Sequence, residues 1–128
     1  MFKIINILTR KDKKMSNLTE MKCVACNRDA PIVTDEEISD FQPVIPDWEL
    51  LQVNGVNRLE NSYKFNNFAD AMAFSIQVGE ISEEEGHHPA ILTEWGRVKI
   101  SWWTHKIKGL HKNDFIMAAK TDQLYSDN

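Results

Sequence analysis

The chain has four histidines, and three of them lie in two short stretches, Glu83-Glu84-Glu85-Gly86-His87-His88-Pro89 and Trp102-Trp103-Thr104-His105. Imidazole, with an ordinary pKa of about 6.5, gives or takes a proton near neutrality. Such a cluster predicts proton-transfer chemistry on a small molecule. His87 and His88 are adjacent, so in extended backbone they point to opposite sides. They also lack the His-x-x-x-His helical spacing of a chelating pair. Two imidazoles with a carboxylate around iron or zinc is the weaker alternative, and no metal is expected. Glu83, Glu84 and Glu85 fall in the last turn of a predicted helix, where the macrodipole disfavours negative charge by about 0.3–1 kcal/mol each. Glu83, four residues before His87, is expected to work with the imidazoles. Glu84 and Glu85 read as readily as a solvated face.

These side chains need elements to hold them. Thr34-Asp35-Glu36-Glu37 is a capping-box pattern that predicts a short helix from Asp35 to about Gln42, stopped by Pro43. A strand over Trp48–Val53, an Asn54-Gly55 turn and a return strand over Val56–Phe65 form a predicted hairpin. Asn67 can cap a long helix from Phe68 to about Glu85, with Phe68, Ala71, Met72, Ile76 and Gly79 as its packed stripe and Gly86 as its stop. A third strand covers about Ala90–Glu94, Trp95-Gly96 turns the chain, and a fourth runs Arg97–Thr104. Alternation puts Val98, Ile100, Trp102 and Thr104 on one face of that strand and Arg97, Lys99, Ser101, Trp103 and His105 on the other. Trp102 is expected in the core, Trp48 and Trp95 in core or rim, and Trp103 beside His105, where it could stack on a flat heterocycle. After Gly109 a last helix spans about Lys112–Leu124, with His111 at its start and Phe115, Ala118, Ala119 and Asp122 at helical spacing. The grouping of elements predicts an α+β fold, a four-stranded antiparallel sheet with helices packed on one face.

The 128 residues suffice for one domain with a single modest core. Net charge is −4, but residues 1–14 carry five bases and one acid, leaving about −8 on the remainder. An acidic body argues against nonspecific nucleic-acid binding. No apolar run approaches the ~20 residues needed to cross a membrane. The leader has too short an apolar stretch and no small-residue cleavage site for a signal peptide. Residues 1–19 are therefore expected to be a disordered extension, or partly an upstream start before Met15, and residues 20–128 a single cytoplasmic domain. Cys23 and Cys26 form Cys-Val-Ala-Cys without a second pair to complete a structural zinc site. A solvent-exposed, non-essential pair is the first expectation; partial metal binding and redox activity stay open.

At Glu83, His87-His88-Pro89, Val98, Thr104-His105, Gly109-Leu110 and Asp114, the chain resembles the pterin-4a-carbinolamine dehydratases, over about residues 30–125. The Cys-x-x-Cys leader and Trp102-Trp103-Thr104-His105 are similar to a bacterial branch associated with phenylalanine hydroxylase. The resemblance implies the same helix-on-sheet fold, a homodimer or homotetramer, and a 4a-hydroxytetrahydropterin substrate dehydrated without cofactor. It implies that His87, His88 and His105 line the pterin pocket, supported by Glu83 and Asp114. His87 and His105 are the expected acid–base pair and His88 the ring holder. His111 departs from the Thr or Ser that many members carry three residues before the Asp. That weakens the expected helix cap and the orientation of Asp114. Family members also act as dimerisation cofactors or regulators. A non-catalytic module on this fold is thus one alternative, and another pterin or molybdopterin-related enzyme a second.

Overall fold

The structure is a computed structural model describing residues 18–24 and 30–128. Its elements are helix α1 (Asp35–Phe41), strands β1 (Glu49–Val53) and β2 (Val56–Lys64), helix α2 (Phe68–Glu85), strands β3 (Ala90–Glu94) and β4 (Arg97–Trp102) and helix α3 (Lys112–Ser126). Short 3-10 turns cover Gln42–Val44 and His105–Ile107. The four strands form one antiparallel sheet in the order β1-β2-β4-β3, the α+β architecture the pattern predicts.

Local chemistry sets the element ends. Thr34 and Glu37 close a reciprocal capping box on α1. Helix α1 ends at Phe41, just before Pro43 as the pattern predicts, and Pro43 sits in the first positions of the 3-10 turn that follows, where a missing N–H costs nothing. Asn54 and Gly55 both have positive φ, 52° and 81°, as a two-residue hairpin turn requires. Asn67 Oδ1 accepts the Asp70 N–H at 2.8 Å to start α2. Gly86, at φ 64°, ends it in the left-handed conformation. Strand β4 stops at Trp102, short of the predicted Thr104. Thr104 instead bridges to Gly109 and closes the turn carrying His105.

One face of the sheet meets both long helices. Leu59 and Tyr63 from β2, and Val98, Ile100 and Trp102 from β4, pack against Phe74 and Val78 of α2 and Phe115, Ala118 and Ala119 of α3. Each large side chain fully buried there contributes about 1.5–3 kcal/mol. The packed stripe of α2 differs from the predicted one. The helix buries Ala71, Phe74, Ser75, Val78 and Ser82, while Phe68, Met72 and Ile76 stay exposed. Small serines can face the core because each hydroxyl donates to a carbonyl one turn back, Ser75 to Ala71 and Ser82 to Val78. Trp48 lies in the core, with its Nε1–H on Asp122, whereas Trp95 stands exposed at its turn.

Leu18 and Thr19, assigned by composition to the extension, pack onto the body. Leu18 is 1% exposed within the core, and Lys120 Nζ donates to the Thr19 carbonyl at 2.8 Å. Burial of a leucine side chain outweighs the polar character of its neighbours. The rest of the expected extension, residues 1–17, lies outside the described residues, as does Cys26. Cys23 is half-buried against the core rather than solvent-exposed.

Candidate active site

Two helix ends and the turn after β4 meet at one end of the sheet. Helix α2 delivers Glu83 and, just past its Gly86 stop, His87 and His88. Helix α3 delivers Asp114 from its first turn, and the turn after β4 delivers Thr104 and His105.

The buried half of the site is built around Asp114, which has no solvent exposure. Its Oδ1 pairs with His87 Nε2 at 2.6 Å, and its Oδ2 accepts from Thr104 Oγ1 at 2.8 Å and from the His111 N–H at 2.9 Å. A carboxylate out of water requires such donors. Contrary to the expectation drawn from His111, the cap is intact. His111 Nδ1 accepts the Asn113 N–H at 3.0 Å while Asp114 returns the reciprocal bond. Burial holds the His111 imidazole below the usual histidine pKa, partly opposed by the Asp114 charge. The imidazole cap thus stays in the neutral form that can accept. The His87 ring lies flat on Trp102, with centroids 5.5 Å apart and planes at 9°. It is fixed both in its plane and at one nitrogen.

The exposed half holds His88, paired through Nε2 with Glu83 Oε2, and His105. Trp103 leans on His105 with ring centroids 4.6 Å apart, and the Arg58 guanidinium lies 3.8 Å above the Trp103 ring. The structure therefore places His87 with Asp114, His88 with Glu83, and His105 with Trp103. The buried His87–Asp114 pair and the exposed His88 and His105 imidazoles are groups that can give or take protons near neutrality.

Three contributors were invisible or misread in the sequence, and a fourth, His111, was placed at its helix start but not as a working cap. Arg58 reaches Trp103 only through the β2–β4 pairing, which has no local sequence signal. Glu85, read as readily as a solvated face, has a side chain only 6% exposed, and its Oε1 accepts the Cys23 N–H at 2.8 Å. Asn113 holds Val24 through two hydrogen bonds. His111 is the cap itself, and its place at the predicted helix start was the one available signal.

Fold and site together define a small α+β protein with histidine–carboxylate pairs at the end of its sheet. The sequence model of the family described as Pterin 4 alpha carbinolamine dehydratase matches residues 31–124, and the chain belongs to that family. It is 56% identical over 110 residues to a protein of Nitrosococcus oceani provisionally named pterin-4-alpha-carbinolamine dehydratase, covering 86% of this chain and 97% of that one. A protein of Syntrophotalea carbinolica with the same provisional name is also 56% identical over 110 residues, covering 86% of this chain and 98% of that one. Among solved structures, the transcriptional coactivator/pterin dehydratase of Brucella melitensis superposes with a TM-score of 0.66 at 26% identity, over 74% of this chain and 99% of that one. A pterin dehydratase-like protein described as a RuBisCO assembly factor in the alpha-carboxysome gives a TM-score of 0.53 at 25% identity, over 62% of this chain and 89% of that one.

Proposed function

We propose that this protein dehydrates 4a-hydroxytetrahydropterin to quinonoid dihydropterin by imidazole acid–base catalysis. One group protonates the departing 4a-hydroxyl, the C4a–O bond breaks, and a base takes the N5 proton. Substrate thus becomes quinonoid product plus water, with no change in redox state. The observation that supports this most is the pairing of consecutive histidines with different carboxylates, His87 with buried Asp114 and His88 with exposed Glu83.

With Nε2 committed to Asp114, the Nδ1 of His87 is the nitrogen left to exchange a proton with substrate. His105 serves as its partner across the pterin, His88 holds the ring, and Trp103, covered on one face by Arg58, supports the His105 imidazole. General acid–base groups of this kind contribute about 10²–10⁴-fold each. The biological task in this reading is to return the pterin of a phenylalanine hydroxylase to use, in the cytoplasm, as a homodimer or homotetramer. The exposed β1 and β3 edges and the apolar Phe68, Met72 and Ile76 of α2 are the surfaces available for such assembly. The test is the decay of enzymatically generated 4a-hydroxytetrahydropterin by ultraviolet absorbance, with wild type and His105→Ala.

A second reading is a non-catalytic regulatory or assembly protein. It draws on the exposed apolar stripe of α2 and on the coactivator and assembly-factor descriptions of the two structural relatives. A His87→Ala/His105→Ala double variant that still performs the cellular task would favour it.

A further inference from the structure

We propose that the strap of residues 18–24 clamps the His87–Asp114 pair in place, with Glu85 and Asn113 as its two positioning residues. The strap lies outside the stretch matched by the family's sequence model, residues 31–124. It is nevertheless anchored at both ends. Leu18 is buried in the core and Lys120 holds the Thr19 carbonyl. Downstream, the Cys23 N–H donates to Glu85 Oε1 at 2.8 Å, with the Lys22 ammonium 4.0 Å from Glu85 Oε2. At Val24 the strap meets Asn113 in a two-point contact. The Val24 N–H donates to Asn113 Oδ1 at 3.1 Å, and Asn113 Nδ2 donates to the Val24 carbonyl at 2.9 Å.

The positions of these anchors carry the inference. Glu85 is the last residue of α2, two before His87, and Asn113 immediately precedes Asp114 in the first turn of α3. The strap therefore ties together the two helix ends that the His87–Asp114 bond itself spans. A buried Glu85 carboxylate has given up hydration and takes hydrogen bonding from the strap backbone instead. This arrangement also accounts for a glutamate kept in the last helical turn against the macrodipole. Without the clamp the ends of α2 and α3 lose a shared tether, and a displacement of about 1 Å at a catalytic group can cost ~10²-fold in rate.

The test uses the full chain with Asn113→Ala, Glu85→Ala and Glu85→Gln. Two readouts are taken: steady-state dehydration kinetics, which rest on the function proposed above, and ¹⁵N NMR of the His87 ring, which does not. Both alanine variants are expected to lose about tenfold or more in kcat with KM changed less than about threefold. Their His87 rings should pass from a single tautomer to exchange between two. Glu85→Gln keeps an oxygen for the Cys23 N–H and should restore both readouts. If Asn113→Ala fails to fold, the Glu85→Ala and Glu85→Gln pair decides. An unchanged His87 tautomer in a folded Glu85→Ala protein overturns the clamp. If wild type is inert toward the pterin, the dehydratase reading falls and the ring spectrum alone decides the clamp.

Discussion

Replacing Asp114 by asparagine removes one charge and almost no volume, yet the geometry predicts a large effect. The carboxylate accepts from three donors, Thr104 Oγ1, the His111 N–H and His87 Nε2. An amide offers one oxygen. Turned toward Thr104 and the His111 N–H, it presents its NH₂ to His87 Nε2, which must then accept and carry its proton on Nδ1 instead. Hydrogen bonds to charged groups are worth about 1.5–3 kcal/mol, and a buried site left partly unmatched costs more. Asp114→Asn should therefore destabilise the fold by about 2–4 kcal/mol. At this chain length that is a fall of roughly 8–16 °C in Tm. The inverted tautomer blocks the nitrogen assigned to the substrate, so kcat should fall by about 10²–10⁴-fold even in the folded fraction. The assays are a thermal melt, the initial rate of 4a-hydroxytetrahydropterin decay well below the new Tm, and ¹⁵N shifts of His87. Near-native kcat with an unchanged His87 tautomer would show that Asp114 does not set the His87 proton.

Three further outcomes are expected. His105→Ala, at an exposed turn position, should keep its Tm within a few degrees and lose about 10²–10⁴-fold in rate, checked by melting and by the same kinetic assay. His111 caps α3 in its neutral form, and burial lowers its pKa in the folded state. Below about pH 6.5 the unfolded chain takes up a proton that the folded chain resists, so this contribution to stability is complete above that pH and declines below it. Urea titrations across pH 5–8 should show that slope, and His111→Asn, which keeps a capping acceptor without the titration, should flatten it. Tyr63→Phe removes the 2.6 Å hydrogen bond to Asp122, whose pKa burial already pushes up against the donors Tyr63 and Trp48. A loss of about 1–3 kcal/mol in urea denaturation is expected, and no loss would show that Asp122 needs only the indole donor.

Much of the frame was legible in the sequence because its signals are local. Asn67, Gly86, Asn54-Gly55 and the Thr34–Glu37 box each act within a few residues, so the long helix, the hairpin and the first helix start fall where the pattern puts them. The phase of α2 was not legible. Hydrophobicity alone assigns Phe68, Met72 and Ile76 inward, but the serines behind them satisfy their own hydroxyls along the helix and free those apolar residues to face outward. At the site, the histidines, Glu83 and Asp114 stood out by type and by resemblance, whereas the network around them did not. Glu85 finds its partner 62 positions away and Asn113 89 positions away, separations over which no periodicity carries information. Likewise, an imidazole serving as a helix cap breaks a rule written for hydroxyls and carboxylates, and only the packed geometry shows that its Nδ1 accepts as they do.

The most direct measurement is the decay of enzymatically generated 4a-hydroxytetrahydropterin in the presence of wild-type protein, a His87→Ala/His105→Ala double variant, and buffer alone. Clear acceleration by wild type and a rate at or near the buffer value with the folded double variant are the expected results. Equal decay in all three, with wild type folded and assembled, would contradict imidazole-catalysed dehydration by this protein.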